Sequence, residues 1–226
     1  MRIVFVRHGE PNYEKDCLTE LGIRQAEAAA ERLSGEGIDA VFSSPYGRAL
    51  ETAAISAKRL GLGPVQVLDF MHELYWGSIS GKPIFSDGHP WDIADELSRT
   101  GWDLTRTDWA GHPMFADNKV TESALQVAEK ADGWMASLGY TRDGAYYRCE
   151  RDNRRTVALF SHGGSSVAMM ARLLNIPFPY LCQTMHIHFT GITILRFDSR
   201  AGSTQLPVLE LVNDGKHIKD MPSKLP

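Results

Sequence analysis

The sequence predicts an α/β fold: a three-layer sandwich with a mostly parallel central sheet, helices on both faces and a helical insertion that caps the active site. Two observations predict it. Short β-branched runs alternate with segments of helical periodicity over residues 3–68, and the same alternation resumes over residues 156–174. Between these stretches the amino-acid composition changes, and the segment is rich in tryptophan, acidic residues and turn-forming residues.

The first strand and helix are predicted by composition and end signals. Ile3–Val6 is short, β-branched and uninterrupted, which is typical of a strand buried on both faces. Thr19 is the expected N-cap of the helix that follows, and Gly35 and Gly37 are expected to end it.

A second strand and helix repeat this order. Ala40–Phe42 is the predicted strand, with Ser44 as candidate N-cap and Pro45 as the first residue of a helix running to about Leu60. Val65–Leu68 is the next strand candidate. Strand and helix in alternation imply right-handed crossovers and parallel strands.

The pattern resumes in the second half of the chain. Thr156–Phe160 is a predicted strand, followed by a helix that ends near Leu174. Gly191–Phe197 and Val208–Val212 are the last predicted strands, paired antiparallel. Residues 1–226 are therefore expected to form one domain, with a loose tail after residue 215.

The intervening segment is predicted to be an insertion carried on the sheet. It covers about residues 82–135, and Ala124–Leu138 is its clearest helix. A hairpin is expected over about residues 140–155, with Tyr146–Cys149 as one arm. Tyrosine-rich and leucine-rich surfaces around this hairpin leave a homodimer open.

Composition excludes several classes of protein. The 226 residues are 43% hydrophobic and 23% charged, and the net charge of −4 gives no basic field for nucleic acid or a membrane surface. The three cysteines are scattered, which argues against a disulfide framework and fits a cytoplasmic location. No apolar run reaches the length of a membrane span.

Three predicted strands end in residues suited to anion chemistry. The first ends at Arg7-His8-Gly9-Glu10, the second leads to Arg48 one turn into a helix, and a later one ends at His162-Gly163. Parallel strands end at one edge of the sheet, so these groups are expected to share a pocket. Two arginines, two histidines and the helix start at Gly163 would hold a phosphate dianion.

Phosphoryl transfer would then give each group a role. Neutral His8 could attack phosphorus, while Arg7, Arg48 and His162 bind the oxygens without a metal or other cofactor. Glu73 follows the third strand and has apolar neighbours in the sequence. Apolar surroundings and a nearby phosphate anion would both favour its protonated form, which a general acid requires.

These residues fall within an ordered set of motifs. They are Arg7-His8-Gly9-Glu10, Leu18-Thr19-x-x-Gly22-x-x-Gln25-Ala26, Ser43-Ser44-Pro45-x-x-Arg48-Ala49-x-x-Thr52-Ala53, Glu73-x-x-x-Gly77-x-x-x-Gly81, Glu122-Ser123 and Ser161-His162-Gly163-Gly164. The set resembles the histidine phosphatase superfamily, which includes cofactor-dependent phosphoglycerate mutase. The resemblance implies an α/β sandwich with an insertion over the pocket. It also implies that His8 is the phosphorylated nucleophile, that Glu73 is the proton donor, and that Arg7, Arg48 and His162 form the phosphate pocket.

The resemblance leaves a choice between hydrolysis and mutase chemistry. Mutases of the family place basic residues after the acid, whereas Leu74-Tyr75-Trp76 is uncharged, which favours a histidine acid-type phosphatase acting on a small phosphorylated metabolite. The family pattern also has Thr or Ser where Pro11 stands, so one phosphate donor is missing from its usual place.

Three alternatives remain open at this stage. The first is phosphoglycerate mutase activity, and the second is a non-catalytic protein that binds phosphorylated ligands. The third and most remote is a metallohydrolase using His186 and His188, whose spacing puts both on one face of a strand. No metal is expected, because no further ligand stands near them in the sequence.

Overall fold

A computed structural model describes residues 1–221. Its strands are β1 (Arg2–Arg7), β2 (Pro11–Asn12), β3 (Cys17–Leu18), β4 (Ala40–Ser43), β5 (Gln66–Val67), β6 (Tyr140–Asp143), β7 (Tyr146–Cys149), β8 (Thr156–Ser161), β9 (Ile192–Arg196), β10 (Thr204–Gln205) and β11 (Val208–Asp214). Its helices are α1 (Glu20–Leu33), α2 (Gly47–Leu60), α3 (Pro90–Arg99), α4 (Pro113–Ala116), α5 (Lys119–Ser137), α6 (Gly163–Leu174) and α7 (Phe178–Thr184).

The central sheet has six strands in the order β11-β9-β1-β8-β4-β5. Strands β5, β4, β8 and β1 run parallel; β9 pairs antiparallel with β1, and β11 pairs antiparallel with β9. The predicted α/β fold with a mostly parallel sheet is therefore confirmed, as is the antiparallel pairing of the last two strands.

Helices cover both faces of the sheet. On one face, Val4, Val6 and Phe160 pack against Leu33 of α1 and Ala53 of α2. On the other face, a larger cluster joins the alternate strand residues to α5, α6, α7 and the insertion. The period-2 alternation of a strand divides its side chains between two cores, which is why the central strands read as continuous apolar runs.

The predicted start of α2 is wrong. The helix begins at Gly47, and its N-cap is Tyr46 in an extended conformation without a side-chain cap. The Ser44 hydroxyl, expected to cap this helix, hydrogen-bonds His162 at 2.7 Å. Pro45 therefore precedes the helix instead of opening it.

The middle segment divides between two structural roles. Helix α5 packs against α6 and so belongs to the helical layer on the sheet. Residues 76–92 instead reach the edge where the parallel strands end. Strands β6 and β7 form an antiparallel hairpin over residues 140–149, and β10 extends it to three strands.

The end of the chain is only partly described. Lys216–Ile218 forms one 3₁₀ turn with Ile218 buried, so the described part of the predicted loose tail is packed. Residues 222–226 lie outside the described residues. Within residues 1–221, no helix is long and apolar enough to cross a membrane.

Two glycines fix the loop after β1 against the first turn of α1. A Cβ on Gly9 would lie 2.5 Å from the Gly22 carbonyl oxygen, and a Cβ on Gly22 would overlap the Glu10 carbonyl oxygen. The Thr19 hydroxyl accepts the Gly22 N–H at 3.0 Å, and Gln25 Oε1 accepts the Glu10 N–H at 2.8 Å. Backbone contact at this distance requires glycine on both sides.

Replacing Gly22 with alanine therefore tests this contact. We expect Gly22→Ala to lower the free energy of unfolding by about 1–3 kcal/mol, because the new methyl group displaces the loop that carries His8. Gly133→Ala is the matched control, since it also lies within a helix but faces open space. It should raise stability by about 0.5–1 kcal/mol through helix propensity. Urea unfolding measures both, and equal effects would contradict the proposed constraint.

Candidate active site

Three parallel strands bring the predicted residues to one edge of the sheet. Arg7 at the end of β1 pairs in register with Ser161 of β8, and Ser43 of β4 pairs with Phe160. The next residue on β1 and on β8 is a histidine, and the centroids of the His8 and His162 rings lie 5.1 Å apart. The structure thus brings together the two imidazoles that the sequence analysis selected.

His8 is held in one tautomer by its surroundings. The ring is 1% exposed, its Nδ1 lies 2.7 Å from the Gly9 carbonyl oxygen, and its Nε2 lies 3.3 Å from Arg48 Nε. A carbonyl can only accept and a guanidinium can only donate, so Nδ1 carries the proton and Nε2 keeps a lone pair. Burial, reinforced by the charge of Arg7, lowers the pKa of His8 well below its usual value. A neutral imidazole whose Nε2 carries a lone pair instead of a proton can act as a nucleophile.

Arg48 is positioned by a carboxylate that the sequence analysis did not select. Its Nη1 pairs with Asp16 Oδ1, and Asp16 Oδ2 accepts the Gly47 N–H at 2.7 Å. Asp16 holds a positive φ of 48°. The rings of Tyr13 and Tyr46 lie 5.4 and 4.9 Å from the guanidinium carbon. Only the fold brings Asp16 to α2, because the two are 32 residues apart.

Arg7 lies at the base of the site with one donor unpaired. Its Nη1 donates to the Ile187 carbonyl oxygen at 2.6 Å, and its guanidinium carbon lies 4.2 Å from the centre of the Phe189 ring. Its Nε is buried and has no hydrogen-bond partner among residues 1–221. Burial lowers the pKa of Arg7, but a guanidinium titrates so far above neutrality that it stays charged.

His162 also keeps an unpaired nitrogen. Its Nε2 lies 2.7 Å from the Ser44 hydroxyl, which also accepts the Tyr46 N–H. Its Nδ1 is buried and has no hydrogen-bond partner in the described part of the chain. If the Ser44 hydroxyl donates to Nε2, the proton of neutral His162 is on Nδ1. Burial first, and then the neighbouring His8, lowers the pKa of His162 well below its usual value.

Glu73 reaches the same edge, but not in the apolar setting that was expected. Its Oε1 accepts the N–H groups of Leu74 at 2.9 Å and Ser165 at 3.1 Å, and Oε2 accepts that of Gly164 at 3.4 Å. Two of these donors belong to the first turn of α6. A Cβ on Gly164 would lie 2.5 Å from Glu73 Oε1, so the second glycine of the His-Gly-Gly motif makes room for the carboxylate.

A cavity of about 210 Å³ lies at this edge of the sheet, and His8, Arg48 and His162 are not among its lining residues. Arg7, Glu73 and Gly163 line it, and Tyr13 and Trp91 are among its aromatic lining residues. The tryptophans of the insertion therefore differ in role. Those at positions 109 and 134 are buried in the core, whereas position 91 lines the cavity.

Two other predicted features have different outcomes. His186 and His188 are exposed and lie outside any strand, on either side of buried Ile187. Among residues 1–221, no three His, Cys, Asp or Glu side chains cluster as metal ligands would. Glu10, which had no predicted role, accepts the Thr19 hydroxyl at 3.0 Å and so ties the loop to the cap of α1.

Comparison with known proteins adds a family to this geometry. A sequence model of the histidine phosphatase superfamily (branch 1) matches residues 3–209. A glucosyl-3-phosphoglycerate phosphatase from Mycolicibacterium vanbaalenii is 30% identical over 187 residues, 78% of this chain and 75% of that protein. A probable phosphoglycerate mutase from Yersinia pestis is 38% identical over 96 residues, 38% of this chain and 44% of that protein.

Solved structures share the fold over almost the whole chain. A mycobacterial glucosyl-3-phosphoglycerate phosphatase with inorganic phosphate superposes with a TM-score of 0.62 at 27% identity, covering 96% of this chain and 99% of that one. The Entamoeba histolytica phosphoserine phosphatase in complex with 3-phosphoglyceric acid has a TM-score of 0.63 at 24% identity, covering 96% and 98%. The second likeness shows the fold alone.

The two buried imidazoles should make folding sensitive to acid. Because their folded-state pKa values are lowered, the unfolded chain binds more protons once the pH falls below the unfolded value of about 6.5. The free energy of unfolding should therefore decrease as the pH falls from about 7.5 to about 5.5, by at most about 1.4 kcal/mol per pH unit for each imidazole.

Urea unfolding across this pH range measures the effect. His162→Asn removes one of the two groups, so we expect its stability to depend less steeply on pH than that of the parent chain. His188→Asn, at an exposed position, is the control and should keep the parent slope. An unchanged slope in His162→Asn would contradict the assignment of a buried neutral imidazole.

Proposed function

The chain belongs to the histidine phosphatase superfamily, and from this membership we propose that it is a metal-independent phosphomonoester hydrolase that works through a phosphohistidine on His8. One observation carries the proposal. The Arg7 Nε donor and the His162 Nδ1 nitrogen are buried without a partner among the described residues, and both belong to neighbours of the His8 ring. An unpaired buried donor costs about 1–3 kcal/mol, and the oxygens of a phosphate group would remove that cost.

The phosphate would be held by charge and by donors. Arg7 and Arg48 supply two guanidinium groups, which neutralise a dianion and form directional hydrogen bonds. Gly163 begins α6, whose N-terminus carries partial positive charge. His162 contributes its Nδ1–H. We propose that these groups would surround the phosphoryl oxygens with positive charge without a metal ion.

In the first half-reaction, His8 Nε2 attacks phosphorus and the bond from phosphorus to the ester oxygen breaks. The hydrogen bond that Nδ1 donates to the Gly9 carbonyl oxygen keeps the lone pair on Nε2. The same bond stabilises the positive charge that develops on the ring. Glu73 donates its proton to the leaving oxygen, so that the alcohol departs neutral. Its position is fixed by the backbone of Leu74 and Ser165.

In the second half-reaction, a water molecule attacks the phosphohistidine. The Glu73 carboxylate takes a proton from that water as the bond between phosphorus and His8 Nε2 breaks. Inorganic phosphate leaves, and both groups return to their starting protonation states. The cavity at Glu73 is open to its surroundings, which suits a reaction that needs water to enter.

Hydrolysis is favoured over the second candidate, phosphoglycerate mutase. The residues after the acid, Leu74-Tyr75-Trp76, offer no cation to grip a second anionic group. Similarity to the probable mutase is confined to 96 residues, whereas similarity to the phosphatase extends over 187. We further propose a small phosphorylated metabolite as substrate and the cytoplasm as location, the latter supported by three free cysteines.

Replacing the nucleophile is the direct test. We expect His8→Ala to lower kcat for an aryl phosphate by about 10³-fold or more, since the covalent route is lost. Parent activity should survive EDTA, and His188→Ala should keep it. Circular dichroism checks that His8→Ala is folded, and unchanged turnover in that variant would refute the phosphohistidine mechanism.

Incubation with 3-phosphoglycerate separates the two candidate activities. We expect no 2-phosphoglycerate to form, because water hydrolyses the phosphohistidine before the phosphoryl group can return to glycerate. Formation of that isomer at a rate above hydrolysis would favour the mutase. Tight binding of phosphate esters with no turnover of any ester would indicate a binding protein instead.

The role of Glu73 can be tested through the leaving group. We expect Glu73→Gln to lower kcat/KM for an alkyl phosphate by about 10²–10⁴-fold, because an alkoxide needs a proton to leave. The loss should be much smaller for 4-nitrophenyl phosphate, whose leaving group departs as an anion. Glu129→Gln, at an exposed position on α5, is the matched control. Equal losses on both esters would argue against a general acid at this position.

A further inference from the structure

The part of the cavity lined by Trp76, His89, Trp91 and Asp92, here called its outer half, has an aromatic wall that the proposed chemistry does not use. Trp76, His89 and Trp91 follow one another in space, with ring centroids 5.4 Å apart for the first pair and 5.6 Å for the second. Trp76 is 39% exposed although it is large and apolar. Tyr13 also lines the cavity. Flat indole faces that line a concave site are binding surfaces for a flat apolar group.

The charge of this outer half is unfavourable to a second anion. Asp92 lines the cavity, accepts a hydrogen bond from the Ser86 hydroxyl and lies 3.2 Å from His89 Nδ1. The hydrogen bond from Ser86 lowers the pKa of Asp92, so its carboxylate is ionised. Asp92 also lies in the first turn of α3, where a carboxylate offsets the partial positive charge of the helix N-terminus.

The permanent positive charge that lines the cavity lies at its base and not in its outer half. Among the described lining residues, Arg7 is the one permanent cation, and it lies at the base beside His8. Its Nη1 is bound to the Ile187 carbonyl oxygen. A carboxylate on the leaving group would therefore meet Asp92 without a guanidinium or ammonium to neutralise it.

The size of the cavity limits what can fit. A cavity of about 150 Å³ holds a benzene molecule, and the volume here is about 210 Å³. The space therefore suits one substituted six-membered ring.

Resting on the proposed phosphatase activity, we infer that this outer half selects phosphomonoesters whose leaving group is uncharged and offers a flat apolar face. Trp76 and Trp91 supply the stacking surface, and Asp92 rejects leaving groups that carry a carboxylate. An aromatic alcohol and a sugar ring share this chemistry, because both present a flat face of C–H or π character to an indole.

Matched pairs of esters test the charge selection. Phenyl phosphate is compared with 4-carboxyphenyl phosphate, and glycerol 3-phosphate with 3-phosphoglycerate, at about pH 8, where free imidazoles are neutral. Within each pair the reacting bond is similar and one member carries an added carboxylate. We expect kcat/KM to be about tenfold higher for the uncharged member, because the Asp92 carboxylate repels the carboxylate of the other member.

Variants assign the selection to named residues. Asp92→Asn should lower the ratio of kcat/KM for the uncharged member to kcat/KM for the carboxylated member of each pair. Asp95→Asn should leave that ratio unchanged, because Asp95 is on the same helix but outside the cavity. Trp91→Leu should reduce the preference for phenyl phosphate over glycerol 3-phosphate. A hexose 6-phosphate and glycerol 3-phosphate are both alkyl esters, so a tenfold higher kcat/KM for the hexose ester supports the stacking surface, and no advantage contradicts it.

The experiments distinguish failure of the inferred selectivity from failure of the proposed phosphatase activity. If the parent enzyme hydrolyses the carboxylated members as well as the uncharged ones, the inferred selectivity is wrong while the phosphatase activity stands. If no ester is hydrolysed in a manner that depends on His8, the proposed function fails and the inference falls with it. The parent ratios decide on the selectivity, and the folded His8→Ala variant decides on the phosphatase activity.

Discussion

Two guanidinium groups lie beside one buried imidazole, and the rest of the site is arranged around that concentration of positive charge. Burying like charges together is costly unless each has a partner. Asp16 pairs with Arg48, and the Ile187 carbonyl oxygen and the Phe189 ring take up Arg7. The histidines respond differently, since both stay neutral. What remains unsatisfied is a small set of donors that all favour an anion.

Close backbone contacts hold this arrangement in place. The loop that carries His8 rests on the first turn of α1 through Gly9 and Gly22, and Gly47 meets the Asp16 carbonyl oxygen in the same way. Gly164 similarly admits the Glu73 carboxylate against α6. In each case the missing side chain lets two segments approach within hydrogen-bonding distance. These four glycines therefore help to position the charged residues.

The parts of the fold that depend on local signals could be predicted from the sequence. Apolar β-branched runs located β1, β4 and β8, and the topology of parallel strands then brought His8 and His162 together. The start of α2 could not be found in this way, because the Ser44 hydroxyl serves His162 instead of the helix. Asp16 was missed for a related reason: nothing near it in the chain indicates that it pairs with Arg48. Nor does composition reveal that backbone N–H groups surround Glu73. Contacts between distant segments decide all three.

The unpaired nitrogens of Arg7 and His162 have a consequence for the protein outside turnover. An anion that accepts hydrogen bonds from both binds only the folded chain, and so adds RT ln(1 + [L]/Kd) to its stability. Inorganic phosphate carries the same oxygens as a phosphate ester. Phosphate bound between these nitrogens would therefore raise the free energy of unfolding, and a fall in phosphate concentration would lower it again.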